Sequence, residues 1–411
     1  MERRPGVPRL LREINDRAAL ELLLASGPLT RGQIGEATGL SKVTASQTLS
    51  RLEERGLVEV VGEQAGNRGP NAALYGVVSS SAYVAGLDVG PERVTAAIAD
   101  IKGDVRARVQ VEPGDFAGAA GEGSDGDAAG EGPRGDPVVM VRAALARACR
   151  AARVPLSRLD AVTIGTPGVV DPRSGDVRFS FDLPGWHEGV HDALARDLHS
   201  HVIIENDVNL AALAERAEGA AVGLDDFVLL WVARGIGMAV MFGGRIHRGR
   251  SGSAGEIGYL PVPGVPLADD VRTRPGRPPS LGGGLQTLVS SDAVCELAQQ
   301  HGFTGATAAE CVGAAVAAGI AGERLLDEIA SRLALGVASV CVVLDPELVV
   351  LAGEVGQAGG EALTTRVEDA VARICPIRPK MVTSTITDAP VLRGAVLAAL
   401  QHAREAIFAG S

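Results

Sequence analysis

The sequence predicts an α/β protein in two parts, a small helical unit carrying two short strands and then a long body. Three observations lead there. Residues 12–55 show helical stripes with recognisable caps, followed by two short β-type runs. From Tyr83 onward helical and strand patterns alternate, which is the α/β signature. The 411 residues are 46 % hydrophobic, ample for real cores, and at roughly 150 residues per domain they suggest two or three domains.

The first helix carries Leu20, Leu23 and Leu24 on one stripe and is ended by Ser26-Gly27-Pro28. Thr30 is an N-cap for a short helix running to about Thr38, and Gly39 makes the turn. Ser41 caps a third helix in which Ala45, Leu49 and Leu52 recur at i, i+4, i+7, and Gly56 ends it. Leu57–Val61 and Ala73–Val78 read as two strands around the loop Gly62–Asn71.

In the body, Val84–Gly90 and Arg93–Ile101 read as a hairpin, with a further turn at Lys102-Gly103-Asp104. The Gly- and Asp-rich stretch Phe116–Pro137 reads as a mobile acidic surface loop. Val138–Arg153, His191–His199, Val208–Ala217 and Leu325–Leu344 read as helices. Ala161–Gly165, Val202–Glu205, Phe227–Val232 and Leu348–Leu351 read as strands. No fixed-period repeat is visible.

Composition excludes several classes. No apolar run reaches the roughly 18 residues of a membrane span, and no secretory signal follows Met1-Glu2-Arg3-Arg4-Pro5, so a cytoplasmic protein without a membrane partner is expected. Five scattered cysteines without a C-x-x-C pair fit reduced thiols. The net charge of −11 argues at first against nucleic acid. Yet residues 1–80 hold 10 basic and 9 acidic residues, net +1, and the remainder holds 29 and 41, net −12. The acidity belongs to the body.

Helix, tight glycine turn, capped helix and two-stranded wing together make a winged helix-turn-helix, and hence a DNA reader. Without the apolar stripe, the third helix presents Ser41, Lys42, Thr44, Ser46, Gln47, Ser50 and Arg51. Small hydroxyls allow close approach to bases and phosphates, and Gln47 can pair with adenine. Arg68 sits at the expected wing tip, in Gly66-Asn67-Arg68-Gly69-Pro70. The alternative is a packing module whose polar face is merely solvated.

An ordered series of short motifs follows. It runs through Gly86-Leu87-Asp88-Val89-Gly90, Gly165-Thr166-Pro167-Gly168, Leu183-Pro184-Gly185-Trp186 and Glu205-Asn206-Asp207-Val208-Asn209. Ser253-Ala254-Gly255-Glu256-Ile257-Gly258, Leu344-Asp345-Pro346-Glu347 and Leu351-Ala352-Gly353-Glu354 complete it. The series resembles the ROK (repressor, open reading frame, kinase) family from about residue 10 to the C-terminus. The resemblance implies a two-lobed actin-like body of the sugar kinase and ribonuclease H-like type, with a ligand cleft between the lobes. Expected boundaries are 1–78 for the winged helix-turn-helix, 79–203 for the first lobe, rejoined by 388–411, and 204–387 for the second, dimerising lobe.

The same resemblance points away from catalysis. Family kinases continue the first hairpin as Gly-Gly-Thr-Lys; here Gly90-Pro91-Glu92-Arg93 removes a donor and adds a negative charge. Their second phosphate loop, Gly-Thr-Gly, is Ala233-Arg234-Gly235, and Ala352-Gly353 replaces Gly-Gly in the adenosine segment. ATP binding, and any cofactor, is therefore not expected. Asp207 matches the family's general base as a vestige. Asn206 and Glu256 match the sugar shell, whereas Asp182, Tyr259 and Gln286 replace its usual Asn, His and Glu. Altered sugar specificity, a lost ligand and a purely structural role for this shell all stay open.

No metal is expected. The stretch Leu267–Gln286 lacks the cysteines of the family's zinc site, and Tyr259 takes the histidine position. His187-Glu188-Gly189-Val190-His191 spells H-E-x-x-H, with Glu215 a conceivable third ligand, but Pro184-Gly185 and Gly189 argue against the helix that motif needs. The expected protein is a repressor that binds a pseudo-palindromic operator as a homodimer or dimer of dimers, with a possible sugar effector. The rivals are an active sugar kinase with a DNA-binding appendage and a ligand-independent regulator with a scaffold body.

Overall fold

The computed structural model describes residues 8–65, 71–91, 93–112, 137–180, 183, 189–198, 200–267 and 283–409. Arg68, Glu92, Asp182, most of the acidic loop, His187-Glu188 and the stretch 268–282 lie outside the described residues.

The N-terminal unit consists of α1 (Pro8–Ser26), β1 (Leu29–Thr30), α2 (Arg31–Thr38), α3 (Lys42–Glu54), β2 (Val58–Gln64) and β3 (Ala72–Val77). Thr30 and Gln33 form a reciprocal capping box at the start of α2. Gly39, at φ +71°, makes the turn into α3, which Ser41 caps by accepting from the Thr44 N–H. Leu20, Leu23, Ile34, Leu49 and Leu52 close the core beneath Leu57, Val58 and Val77. The sheet has three strands, in the order β1-β3-β2. Leu29 and Thr30 pair with Tyr75 and Leu74 and add a strand that two residues are too short to signal. β2 also outruns its expected end at Val61, because Gly62–Gln64 pair with Leu74–Ala72 beyond a register irregularity.

The first lobe contains β4 (Tyr83–Val89), β5 (Val94–Asp100), β6 (Val105–Val111), α4 (Pro137–Ala152), β7 (Leu159–Thr166), the small hairpin β8 (Val169–Val170) and β9 (Val177–Phe179), α5 (Val190–Leu198) and β10 (His201–Asn206). The second contains α6 (Asp207–Glu218), β11 (Phe227–Val232), β12 (Ile236–Phe242), β13 (Arg245–Ile246), α7 (Gln286–Val289), α8 (Ser291–Gln300), α9 (Ala308–Ala317), α10 (Glu323–Leu344), β14 (Leu348–Ala352), α11 (Gly353–Ile374) and β15 (Met381–Thr383). The chain ends in α12 (Pro390–Ala409).

The two five-stranded sheets, β10-β7-β4-β5-β6 and β15-β14-β11-β12-β13, have the same topology. In each, an antiparallel meander of three strands is extended by two parallel crossover strands. This is the duplicated α/β plan of the actin-like fold. The repeat is one of topology, so no sequence period betrays it.

α12 joins all three parts. It lies against β4, β7 and α6, and glycine makes the close approach possible. A Cβ on Gly394 would stand 1.9 Å from the Leu210 carbonyl oxygen, and one on Gly86 would stand 2.7 Å from the Val396 nitrogen. At its far end Ile407 and Phe408 pack into the core of the N-terminal unit, and the Ile407 carbonyl accepts from Arg55.

Candidate functional site

Two regions carry chemistry. The first is the outer face of α3. Lys42, Gln47 and Ser50 are exposed on it. Ser41 and Thr44 sit at its N-terminus with their hydroxyls 2.9 Å apart, serving the cap. The Ser46 hydroxyl accepts from Arg31 at the start of α2, at 3.2 Å. Arg51 departs from the expected face. It is bonded to Asp16 of α1 and to Thr48, so its guanidinium braces the fold from within. Two residues join the face that polarity alone did not select. Arg31 enters through its reach to Ser46. Val43, 67 % exposed on α3, offers a methyl surface of the kind that meets a thymine methyl.

The second region is a cleft of about 220 Å³ between the lobes, lined by Pro167-Gly168, Asn206-Asp207, Trp231, the Ala233–Gly237 turn, Glu256, Tyr259 and Gln286. Strand β10 delivers Asn206 and Asp207 directly onto the N-terminus of α6, where a carboxylate is favoured by unpaired N–H groups. Asn206 is the helix cap: its Oδ1 accepts from the Asn209 N–H at 3.1 Å, and its Nδ2 donates to the Gly168 carbonyl at 3.1 Å. Asp207 Oδ1 accepts from the Val208 N–H at 2.8 Å.

Burial, reinforced by the negative charge of Asp207, pushes the Glu256 carboxyl up to about 7. Burial and then Glu256 push the Tyr259 hydroxyl up to about 12, so it remains a donor. Gln286 is turned to the backbone: Oε1 accepts from the Ile236 N–H at 2.9 Å and Nε2 donates to the Arg234 carbonyl at 3.5 Å. It props the turn that corresponds to a phosphate loop. That turn is also closed on itself by the bond from the Ala233 N–H to the Gly235 carbonyl, at 2.9 Å. The other such loop is closed by Gly90 N–H on Arg93 O at 3.0 Å, and Pro91 within it has no N–H to offer.

Beneath the cleft, buried Glu205 ties the lobes together. It accepts from Asn209 Nδ2 at 2.9 Å and from Arg248 Nε, beyond β13, at 2.6 Å. Its place in the Glu-Asn-Asp-Val-Asn run was the signal available, and only the partner across the lobes explains it. The other acidic candidate, Glu215, is fully buried. It accepts from the Ala220 and Ile386 N–H groups and from Ser384, which leaves it a structural carboxylate rather than a metal ligand. His191 Nε2 stands 3.1 Å from the Val202 carbonyl oxygen. Among the described residues no group of three His, Cys, Asp or Glu is placed to hold a metal ion.

Residues 14–69 match the MarR family. Over 256 residues the chain is 27 % identical to the DNA-binding transcriptional dual regulator NagC of Escherichia coli K12, covering 62 % of this chain and 58 % of that protein. It thus spans under three fifths of the length of that relative. The crystal structure of a ROK hexokinase from Thermus thermophilus superposes with a TM-score of 0.60 at 29 % identity, over 79 % of this chain and 99 % of that one. A ROK family transcriptional regulator, a homologue of the E. coli MLC protein, shares the fold from end to end: TM-score 0.70 at 19 % identity, over 97 % of this chain and 98 % of that one. Residues 84–402, well over half of the sequence, match the ROK family itself, and the chain belongs to that family, with a MarR-like winged helix-turn-helix at its N-terminus.

Proposed function

We propose that the protein is a transcriptional repressor that reads operator DNA through α3 and senses a sugar or sugar derivative in the inter-lobe cleft. The observation that carries this reading is the exposed polar face of α3, with Lys42, Gln47 and Ser50 free of the core, on a winged helix whose core is shared with the body through Ile407 and Phe408. Ser41, Thr44, Ser46 and Arg31 flank that face as phosphate-side donors. Arg51 is reassigned from DNA contact to positioning α3. Arg68 stays a candidate wing contact on sequence grounds alone.

The cleft reading rests on Asp207 and Glu256 facing one small polar cavity. Tyr259 supplies a hydroxyl donor, and Gln286 acts by holding the cavity wall. Asp182 is kept as a ligand candidate from its place in the motif. α6 begins at Asp207 and packs along α12, whose other end enters the winged helix. A ligand that closes the lobes would therefore move the DNA-reading unit through contiguous helices. Two such units in a homodimer, or a dimer of dimers, would read a pseudo-palindrome.

Selection of bound duplexes from a random pool with the full-length chain tests the reading. An enriched sequence with dyad-related half-sites is expected; recovery of no preferred sequence rejects it. The second reading, a sugar kinase, draws on Asp207 at the position of the general base. The closed Ala233–Gly235 turn and Pro91 oppose it, and a coupled ATP-turnover assay over a sugar panel decides between the two.

A further inference from the structure

One loop of the second lobe is fastened to the first. After β13 the chain leaves the sheet and returns to it. The His247 N–H donates to the Val240 carbonyl at 2.8 Å, and the Gly255 carbonyl accepts from the Met238 N–H at 3.0 Å. Both anchors lie on β12. Between them the stretch 248–254 crosses to the first lobe and meets it at two points.

The first contact is ionic. Arg248 donates from Nε to Glu205 Oε2 at 2.6 Å, and its Nη2 stands 2.5 Å from the same oxygen. Glu205 keeps only 6 % of its side-chain surface in solvent, so the carboxylate depends on its partners. The second contact is made by backbone. Gly252, at φ +83°, lies so close to β8 that a Cβ there would stand 1.9 Å from the Val170 carbonyl oxygen. The return to β12 is as tight: at Gly255, φ +99°, a Cβ would stand 2.0 Å from the Met238 carbonyl oxygen.

Glu256 is the next residue. It lines the inter-lobe cleft with Asp207, Tyr259 and Arg234, the other charged or titratable groups of that lining among the described residues. No hydrogen bond holds its carboxyl among the described residues. Its place is therefore set by the backbone that carries it, and that backbone is pinned to both lobes.

We propose that the stretch 248–254 is a clasp, in which Arg248, Glu205 and Gly252 are positioning residues that hold Glu256 in the ligand cleft. Lobes that part lose both contacts, and Glu256 then loses its fixed place beside Asp207. The setting of the lobes and the readiness of the cleft for a ligand are thereby one event. The clasp's role rests on the reading of the cleft as a ligand site.

The test uses the ligand-free full-length chain, so its failure leaves that reading standing, and a cleft that takes no sugar leaves the clasp standing. NMR of a chain labelled at its glutamate carboxyls follows Glu256, with Glu256→Gln identifying the signal. The parent should titrate at about 7. Arg248→Met should bring the carboxyl below about pH 6 by opening it to water, and Arg248→Lys should recover part of the difference. Charge alone acts the other way, because removal of a cation pushes a carboxyl up. Gly252→Ala, which leaves both members of the ion pair in the chain, should shift Glu256 in the same direction. Amide exchange across 247–258 should be roughly tenfold faster in the Arg248→Met and Gly252→Ala chains, with exchange in β11 and β14 unchanged. Val294→Ala, a deletion in the core of the second lobe, is the control for lost stability. An unchanged Glu256 titration in the Arg248→Met and Gly252→Ala chains overturns the proposal. A rise in the Arg248→Met chain overturns it too, as does an equal fall in the Val294→Ala chain.

Discussion

Arg51 of α3 grips Asp16 of α1 with two bonds, Nε to Oδ2 at 3.1 Å and Nη2 to Oδ1 at 2.5 Å. Asp16 is almost fully buried, whereas the arginine keeps 27 % of its side-chain surface in solvent. A fork-to-fork pair of this kind fixes the angle between the two helices as no single-point contact does.

Arg51→Ala should therefore act first on stability. It strands a buried carboxylate, and a cost of about 2 kcal/mol in chemical denaturation of the full chain is expected, below the roughly 3–5 kcal/mol of fully buried pairs because the arginine is partly exposed. Arg51→Lys should recover only part of it, since an ammonium cannot make both bonds. A fully stable Arg51→Ala chain with lost operator binding would instead return Arg51 to the DNA interface.

Glu256 makes the cleft pH-sensitive. Its carboxyl holds a proton up to about pH 7 when folded, against an ordinary value of 4.5. Between those values the native state binds more protons than the unfolded chain. Stability should thus fall as pH rises from about 4.5 to about 7 and level off above. The full effect is on the order of 3 kcal/mol, and Glu256→Gln should remove most of that slope. Urea midpoints of both chains at pH 5 and pH 7.5 measure it.

The winged helix should lose its connection to the body if the far end of α12 is cut back. Phe408 contributes to the shared core and lies under the Arg17 guanidinium, 5.3 Å from it. Phe408→Ala should cost about 2 kcal/mol at that junction. It should also split one calorimetric transition into two. Sugar-induced changes in operator affinity should be lost while DNA binding itself persists.

The local parts of this architecture were legible in the sequence, because capping and apolar period are local. Thr30, Ser41 and Gly39 occupy their caps, and Ala45, Leu49 and Leu52 are buried as their spacing requires. Long-range partnerships were not legible. Nothing near Arg51 announces Asp16, 35 residues earlier, so a charged residue on a polar helix face reads as solvent- or DNA-facing. Gln286 reads as a ligand contact because it takes the place of a Glu in the sugar shell that the resemblance implies. Its actual partners, the Ile236 N–H and the Arg234 carbonyl, are some fifty residues away in sequence. Val43 gives no signal in the sequence, because an exposed valine has no polar signature.

The central claim, that α3 reads bases, is tested most directly by the affinity of the Gln47→Ala chain for the selected operator, measured beside the parent chain at one fixed salt concentration and again on unrelated duplex DNA. The account predicts a loss of roughly tenfold or more on the operator, about 1–3 kcal/mol for a lost base contact, with little change on unrelated DNA. Equal affinity of the two chains for the operator would contradict it.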